Sequence, residues 1–264
     1  MGILNVTPDS FSDGGNFVSR DAALKQAMHM VEEGASIIDI GGESTRPGAA
    51  AVTIDEELTR VIPIIEAIRA VSNIPISIDT SKAVVMREAV SAGANLINDV
   101  RALREPGALE AAVALNVPVC LMHMQGQPRT MQSNPIYEDV VDEVKAFLIN
   151  RAKECEIAGI PAENILLDPG FGFGKTVTHN LQLIQHLDLY QGSGYSLLVG
   201  VSRKSTIGKL LGDRTVDGRL YGSLALTAFA LERGADIIRT HDVGATMDVI
   251  RMYTAMKSAN SDEE

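Results

Sequence analysis

Eight short apolar runs, separated by longer stretches of which two show clear helical spacing, constrain this 264-residue chain more than any other feature. The runs are Gly2 to Val6, Ser36 to Ile40, Ile76 to Ile78, Asn95 to Ile97, Val117 to Met122, Asn164 to Leu167, Leu197 to Val201 and Asp236 to Ile238. Each is rich in Ile, Val or Leu, the composition of strands covered on both faces in a parallel sheet. Between them, Leu58, Val61, Ile62, Ile65 and Ile68 fall at 3–4 spacing, as do Val140, Val144, Phe147, Leu148 and Cys155. That spacing gives a helix one apolar face. Gly34-Ala35, Gly93-Ala94 and Gly234-Ala235 each stand just before a strand, where glycine is the usual helix terminator. Repeated strand–helix alternation predicts a single-domain α/β fold, the (β/α)8 TIM barrel, with its site at the C-terminal ends of the strands. A doubly wound open sheet is the competing architecture. No G-x-G-x-x-G follows an early strand, which counts against it. The barrel is expected over residues 1–258, followed by a polar tail at 259–264.

Composition narrows the function classes. Aromatic residues are 4% of the chain and Trp is absent, so Ile, Val, Leu, Ala and Met must build the core. The net charge of −11 argues against a nucleic-acid binder or an anionic-membrane binder, which need a basic face. No apolar run approaches the roughly 18 residues of a spanning helix, and the first basic residue is Arg20, so no secretory signal is expected. Cys120 and Cys155 sit in apolar contexts and read as core residues of a reduced, cytoplasmic protein. Two strand-to-helix connections, about Thr7 to Ser19 and Gly41 to Thr53, are longer than the usual 2–6 residues or so and rich in Gly, Ser, Thr and Asp.

In a barrel, the C-terminal strand ends converge on one mouth. They carry Asn5, Asp39, Asp79, Asn98 with Asp99, His123, Asp168, Ser202 with Lys204, and Arg239 with His241. So many polar groups beside apolar runs predict a pocket, because burial without partners or a ligand is costly. Each has a structural reading as well. One of Asp79, Thr80 and Ser81 is expected to cap the next helix. Asp39, Asn98 and Asp99 could tie down turns. His123 reads as a satisfied core or rim residue, and His29, His179 and His186 as helix-surface residues. Arg239 and His241 could simply pair with Asp242. Gly170-Phe-Gly-Phe-Gly-Lys-Thr176 resembles a phosphate loop but has Pro169 where the first glycine is required, so nucleotide hydrolysis is rejected. No zinc cluster and no Gly-x-Ser-x-Gly elbow is present.

The surviving set mixes two chemistries. Asp79, Asn98 and Asp168 can read a flat nitrogen-rich heterocycle by paired hydrogen bonds. Arg46, Lys204, Arg239 and His241 offer cationic donors for phosphate oxygens. Asn5 could give an oxygen to Mg2+ shared with those phosphates. A heterocycle bearing a phosphate leaving group satisfies both halves.

Eight segments carry a resemblance: ILNVTPDSFSDGG (Ile3 to Gly15), IDIGGESTRPGA (Ile38 to Ala49), ISIDTSK (Ile76 to Lys82), LINDVRAL (Leu96 to Leu103), CLMHMQGQPRTMQ (Cys120 to Gln132), LLDPGFGFGK (Leu166 to Lys175), LLVGVSRKS (Leu197 to Ser205) and IIRTHDV (Ile237 to Val243). In this order, over nearly the whole chain, they resemble the dihydropteroate synthase family. The resemblance implies a (β/α)8 transferase of folate biosynthesis. It would join 6-hydroxymethyl-7,8-dihydropterin pyrophosphate to 4-aminobenzoate, releasing 7,8-dihydropteroate and pyrophosphate. It implies that Asp79, Asn98, Asp168 and Lys204 hold the dihydropterin, with Asp39 structuring the pocket floor and Met122 packing on the ring. Asn5 would ligate Mg2+, and Arg239, His241 and Thr45 would meet the pyrophosphate. Phe11, Pro47, Lys204 and Ser205 would border the aminobenzoate, with sulfonamides as competitors. The catalytic set so implied is Asp79, Lys204, Arg239 and His241. Binding is expected to be ordered, pterin first, and the protein to be a homodimer. Family members commonly carry residues before ILNVTPDSF that close the barrel bottom. Starting at the first strand, this chain is expected to have a more open bottom. A methyltetrahydrofolate-binding corrinoid methyltransferase barrel lacks need of TPDSFSDGG, ESTRPG and SRKS. A non-catalytic pterin-binding paralogue would have lost Asn5, Lys204 or Arg239. A generic phosphosugar barrel does not explain the Asp/Asn set.

Overall fold

The computed structural model describes residues 1–7, 16–44, 51–126, 130–132 and 134–259. The eight apolar runs form parallel strands β1 (Gly2–Asn5), β2 (Ile38–Gly41), β3 (Ile76–Asp79), β4 (Leu96–Asp99), β5 (Val119–Met122), β6 (Ile165–Asp168), β7 (Ser196–Val199) and β8 (Ile237–Ile238). They pair in sequence order. A parallel bridge between Gly2 and Thr240 returns β8 to β1, and the Ile3 amide donates to the Thr240 carbonyl at 2.9 Å. The sheet thus closes into the expected TIM barrel.

Helices α1 (Asn16–Glu32), α2 (Ile54–Arg69), α3 (Ala83–Ser91), α4 (Ala108–Leu115), α5 (Val140–Ala158) and α6 (Val177–Gln185) join successive strands. Two more, α7 (Ser205–Leu210) and α8 (Leu220–Glu232), lie between β7 and β8, and α9 (Val243–Ala259) follows β8. Gly34, Gly93 and Gly234 have φ of +104°, +119° and +94°, a conformation that a side chain disfavours. After α3 the Ala94 amide donates to the Ala89 carbonyl at 2.9 Å and the Gly93 amide to the Val90 carbonyl at 3.0 Å. The same pair of bonds closes α1 and α8, satisfying carbonyls that a helix end leaves open.

Side chains alternate along each strand between the helix layer and the barrel lumen. Ile38, Ile40, Ile76, Ile78, Ile97, Val119, Leu121, Ile165 and Leu167 join the large core shared with the helices. Leu96, Cys120, Leu166 and Leu198 form a separate cluster, with Met1 and Ile237 packed on it. That cluster plugs the lumen at the strand starts. Two residues further along, the lumen positions become Asn98, Met122, Asp168 and, after Ile237, Arg239. One pleat therefore turns the lumen from apolar plug to polar cup.

Three local expectations are corrected. Helix α1 begins at Asn16, so residues 16–19 belong to it and the first long connection is shorter than expected. A third long connection, residues 123–139, joins β5 to α5. Its polar residues tie its own ends together: the Gln125 side chain donates to the Ile136 carbonyl at 2.7 Å and accepts from the Ile136 amide at 3.0 Å. None of Asp79, Thr80 and Ser81 caps α3. Lys82 occupies that position without a side-chain capping bond, because the three side chains have other partners.

Candidate active site

The centre of the cup is one guanidinium between two carboxylates. Arg239, just past β8, donates from Nε to Asp39 at 2.7 Å and from Nη2 to Asp79 at 2.8 Å. Asp39 is fully buried and also accepts from Asn98 Nδ2 at 3.3 Å. Asp79 and Asn98 are direct register partners on β3 and β4. Gly41 stands beside Asp79, where a Cβ would lie 3.5 Å from the Asp79 Cβ, so the strand leaves the carboxylate room. Burial pushes the Asp79 carboxyl up, Arg239 pulls it back and Asp39 adds to the rise, leaving it above its ordinary value. Burial works against the Arg239 charge, but Asp39 and Asp79 outweigh it and hold the guanidinium firmly protonated.

The opposite wall is β6 and the loop after it. Asp168 pairs in register with Met122 and accepts from the Gly170 amide at 2.8 Å. Burial raises its carboxyl despite that bond and the charges of Lys204, Arg239 and Lys175. Lys204 occupies the position before α7, and its ammonium lies 4.0 Å over the Phe173 ring. Met122 and Phe173 share a small buried apolar cluster with Val100, Met124 and Met131. Arg239 feels Asp39, Asp79 and Asp168, and Asp168 feels both Lys204 and Arg239. The parallel strand order puts these groups at the same end of the barrel.

The rim between β7 and β8 is tied across. Ser202 Oγ lies 3.0 Å from His241 Nδ1 and accepts from the His241 amide at 3.1 Å. Arg203 is held at φ +56°, its amide donating to Ser223 Oγ at 2.9 Å, and its guanidinium grips both oxygens of Asp242. The alternative in which Arg239 or His241 simply pairs with Asp242 is not what forms: Arg203 takes Asp242, and Arg239 bonds to Asp39 and Asp79. His241 is also corrected as a standing cation. Burial, with Arg239 and Arg203 nearby, lowers it to about 4, so it is neutral in the free protein.

Other strand-end residues have structural roles. Asp99 accepts from Ser81 Oγ and from the amides of Arg101 and Leu103, tying down a turn. His123 is satisfied by Lys175, 2.9 Å from its Nδ1, and burial lowers it to about 2. His29 lies exposed on α1, His186 at the end of α6, and His179 completes a capping box with Thr176. Behind Asp79, Lys82 pairs with Glu43 and Glu57. Glu57 is fully buried, and its Oε1 has no hydrogen-bond partner among the described residues. Glu43 also accepts from the Val52 amide at 3.4 Å. This triad, Phe173, Arg203 and Lys175 were missed in the sequence. The GFGFGK run was the visible signal for Lys175. Ser205 opens α7 at the exposed rim. Phe11, Thr45, Arg46 and Pro47 lie outside the described residues.

No group of three His, Cys, Asp or Glu able to hold a metal occurs among the described residues. Asn5 ends β1 beside Gly41 in register and is half-buried. A single neutral oxygen suits Mg2+ that keeps waters and takes its other ligands from a substrate's phosphates.

The chain matches the family model described as "Pterin binding enzyme" over residues 1–241. It is 58% identical over 259 residues to the dihydropteroate synthase of Haemophilus influenzae, covering 98% of this chain and 94% of that one. The dihydropteroate synthase of Yersinia pestis in a sulfonamide drug complex superposes with a TM-score of 0.93 at 52% identity, over 98% of this chain and 94% of that one. The Xanthomonas albilineans dihydropteroate synthase with 4-aminobenzoic acid gives 0.92 at 51% identity, over 97% and 92%.

Proposed function

The chain belongs to the pterin binding enzymes and, among them, to the transferases called dihydropteroate synthases; from that premise we propose how its own residues perform the reaction. The substrates are 6-hydroxymethyl-7,8-dihydropterin pyrophosphate and 4-aminobenzoate, and the products 7,8-dihydropteroate and pyrophosphate. The observation that supports this reading is the bonded set of Asp39, Asp79, Asn98 and Arg239 at the same end of the barrel as Asp168 and Lys204, with Lys204 over the Phe173 ring and Phe173 clustered with Met122. A flat heterocycle with both N–H donors and ring acceptors needs that mixture.

Asp168 accepts from the N–H edge of the pterin, Asp79 and Asn98 read the facing edge, and Lys204 donates to a ring acceptor. Asp39 holds Arg239 and Asn98 in place from below. C–O cleavage runs ahead of attack, so positive charge spreads from the methylene into the ring and is stabilised by Asp79. Arg239 faces the same charge and is drawn toward the departing pyrophosphate, with His241 donating an N–H from the rim. Mg2+, held by Asn5, would supply charge neutralisation of that leaving group. The arylamine is neutral at pH 7 and attacks through its nitrogen lone pair without a strong base; once the C–N bond has formed, the acidified N–H gives its proton to water or to the departing pyrophosphate. Binding is ordered, with the pterin first and the aminobenzoate second.

Cys120 and Cys155 are free and buried, which favours a reducing, cytoplasmic setting. No described helix is long and apolar enough to cross a membrane. Tyr221 and Phe229 on α8 and Met252 and Met256 on α9 are exposed, which supports a homodimer; light scattering over a concentration series tests it. The function is tested by pyrophosphate release from the dihydropterin diphosphate. Release that needs both aminobenzoate and Mg2+, and falls when a sulfonamide competes, is expected. Release indifferent to aminobenzoate would overturn the reading.

A further inference from the structure

The loop after β6 is built around its own lysine. Gly170, Gly172 and Gly174 have φ of +69°, +85° and +62°. A Cβ at Gly170 would sit 1.9 Å from the His123 carbonyl oxygen, and one at Gly174 would sit 2.5 Å from the Gln125 carbonyl oxygen. Only glycine lets the backbone coil this tightly against the connection after β5. The coil turns carbonyls inward. Lys175, 3% exposed, donates to the carbonyls of Gly170 and Phe173 at 3.0 Å each and of His123 at 3.3 Å, and its Nζ lies 2.9 Å from His123 Nδ1. A phosphate loop turns amides inward and offers its lysine to a ligand. This loop does the reverse.

The same few residues touch both arms of the pterin set. The amide of Gly170, whose carbonyl holds Lys175, donates to Asp168. The ring of Phe173, whose carbonyl also holds Lys175, lies under the Lys204 ammonium. Gly172 leaves only 3.2 Å between a would-be Cβ and Lys204 Cδ. The far end of the loop is fixed through Asn180, which accepts from the Gly172 amide at 2.6 Å and donates to Thr206 on α7 at 3.1 Å.

We propose that Lys175 is a positioning residue: from a cage of main-chain carbonyls it sets the spacing between the Asp168 carboxylate and the Lys204 ammonium that one pterin must bridge. The proposal rests on the pterin reading of the site. Its experiment titrates 6-hydroxymethylpterin, a non-reacting probe, into wild type, Lys175→Met, Asp168→Asn and the double variant by calorimetry. Lys175→Met is expected to raise the Kd at least about tenfold. Because Lys175 acts through Asp168, the double variant is expected to bind no more than about threefold worse than the weaker single variant. Lys175→Gln, which keeps two donors without the charge, replaces the Met variant if that one does not fold, with a loss of at least about threefold expected. A lysine that merely stabilised the fold would lower the melting temperature and leave the Kd alone, or show losses that multiply in the double variant. Either result overturns the proposal. Absence of probe binding by wild type removes the pterin reading itself and the proposal with it, a different outcome from wild-type binding retained by the variants.

Discussion

Lys82→Met isolates the charge cluster that braces the cup from behind. The substitution removes the cation shared by Glu43 and Glu57 and leaves Glu57 fully buried with one oxygen already unpartnered. Breaking a buried pair from one side costs about 3–5 kcal/mol. Lys82 keeps 23% and Glu43 30% exposure, so water reaches one side of the cluster and about 3 kcal/mol is the appropriate figure. At about 2–4 °C per kcal/mol for a domain near this size, the melting temperature should fall by roughly 6–12 °C. Lys82→Met with Glu57→Leu removes the stranded charge as well and should recover to within about 1 kcal/mol of wild type. Burial works against the Lys82 charge, but bonds from Glu43 and Glu57 outweigh it and raise its pKa above 10.5. Its contribution is thus fully present at neutral pH and is lost only as pH climbs through that raised value. Thermal and urea unfolding, followed by circular dichroism at pH 7, measure both variants. A single variant melting within about 2 °C of wild type, or a double variant less stable than the single, would refute the burial argument.

Lys204→Ala should lower turnover at least about tenfold, roughly 1.4 kcal/mol of transition-state stabilisation; steady-state rates near wild type in a folded variant would remove Lys204 from the mechanism. Asp168→Ala should act mainly on pterin affinity, and unchanged calorimetric affinity would count against its assigned role. Burial raises the Asp168 carboxyl, so the free protein takes up a proton there above the ordinary carboxylate range. A ligand that needs the ionised form should then bind more weakly as pH falls through that raised value; affinity unchanged as pH falls into and through the ordinary carboxylate range would contradict this. His241, lowered to about 4, should show no imidazole titration by NMR between pH 5.5 and 8 in the free protein, and a midpoint near the ordinary 6.5 would mean that its burial is misjudged.

The barrel was legible because its strands are covered on both faces and four of its helices, α1, α3, α5 and α8, run into a left-handed glycine. Both features leave marks within ten residues of sequence. The lumen plug was hidden, since Leu96, Cys120, Leu166 and Leu198 look in sequence like any other apolar strand residues. Only the closed sheet separates them from the helix-facing set. The cup was legible at Asp39, Asp79, Asn98, Asp168, Lys204 and Arg239 because a parallel barrel brings strand ends to one face whatever their separation in sequence. Which partner each group takes was not legible. Arg203 claims Asp242 through a left-handed backbone and a bond to Ser223, and Lys175 turns inward because three glycines curl carbonyls around it. Both outcomes depend on backbone direction, which residue type alone does not encode.

The proposed function requires that groups from β3, β4, β6 and the turn after β7 grasp one bicyclic ring while Asn5, Arg239 and His241 face its diphosphate. A crystal structure with the dihydropterin diphosphate and Mg2+ tests it most directly. One ligand within hydrogen-bond distance of Asp79, Asn98, Asp168 and Lys204 together is the predicted result. A ligand seated elsewhere, or reaching only one wall of the cup, would contradict it.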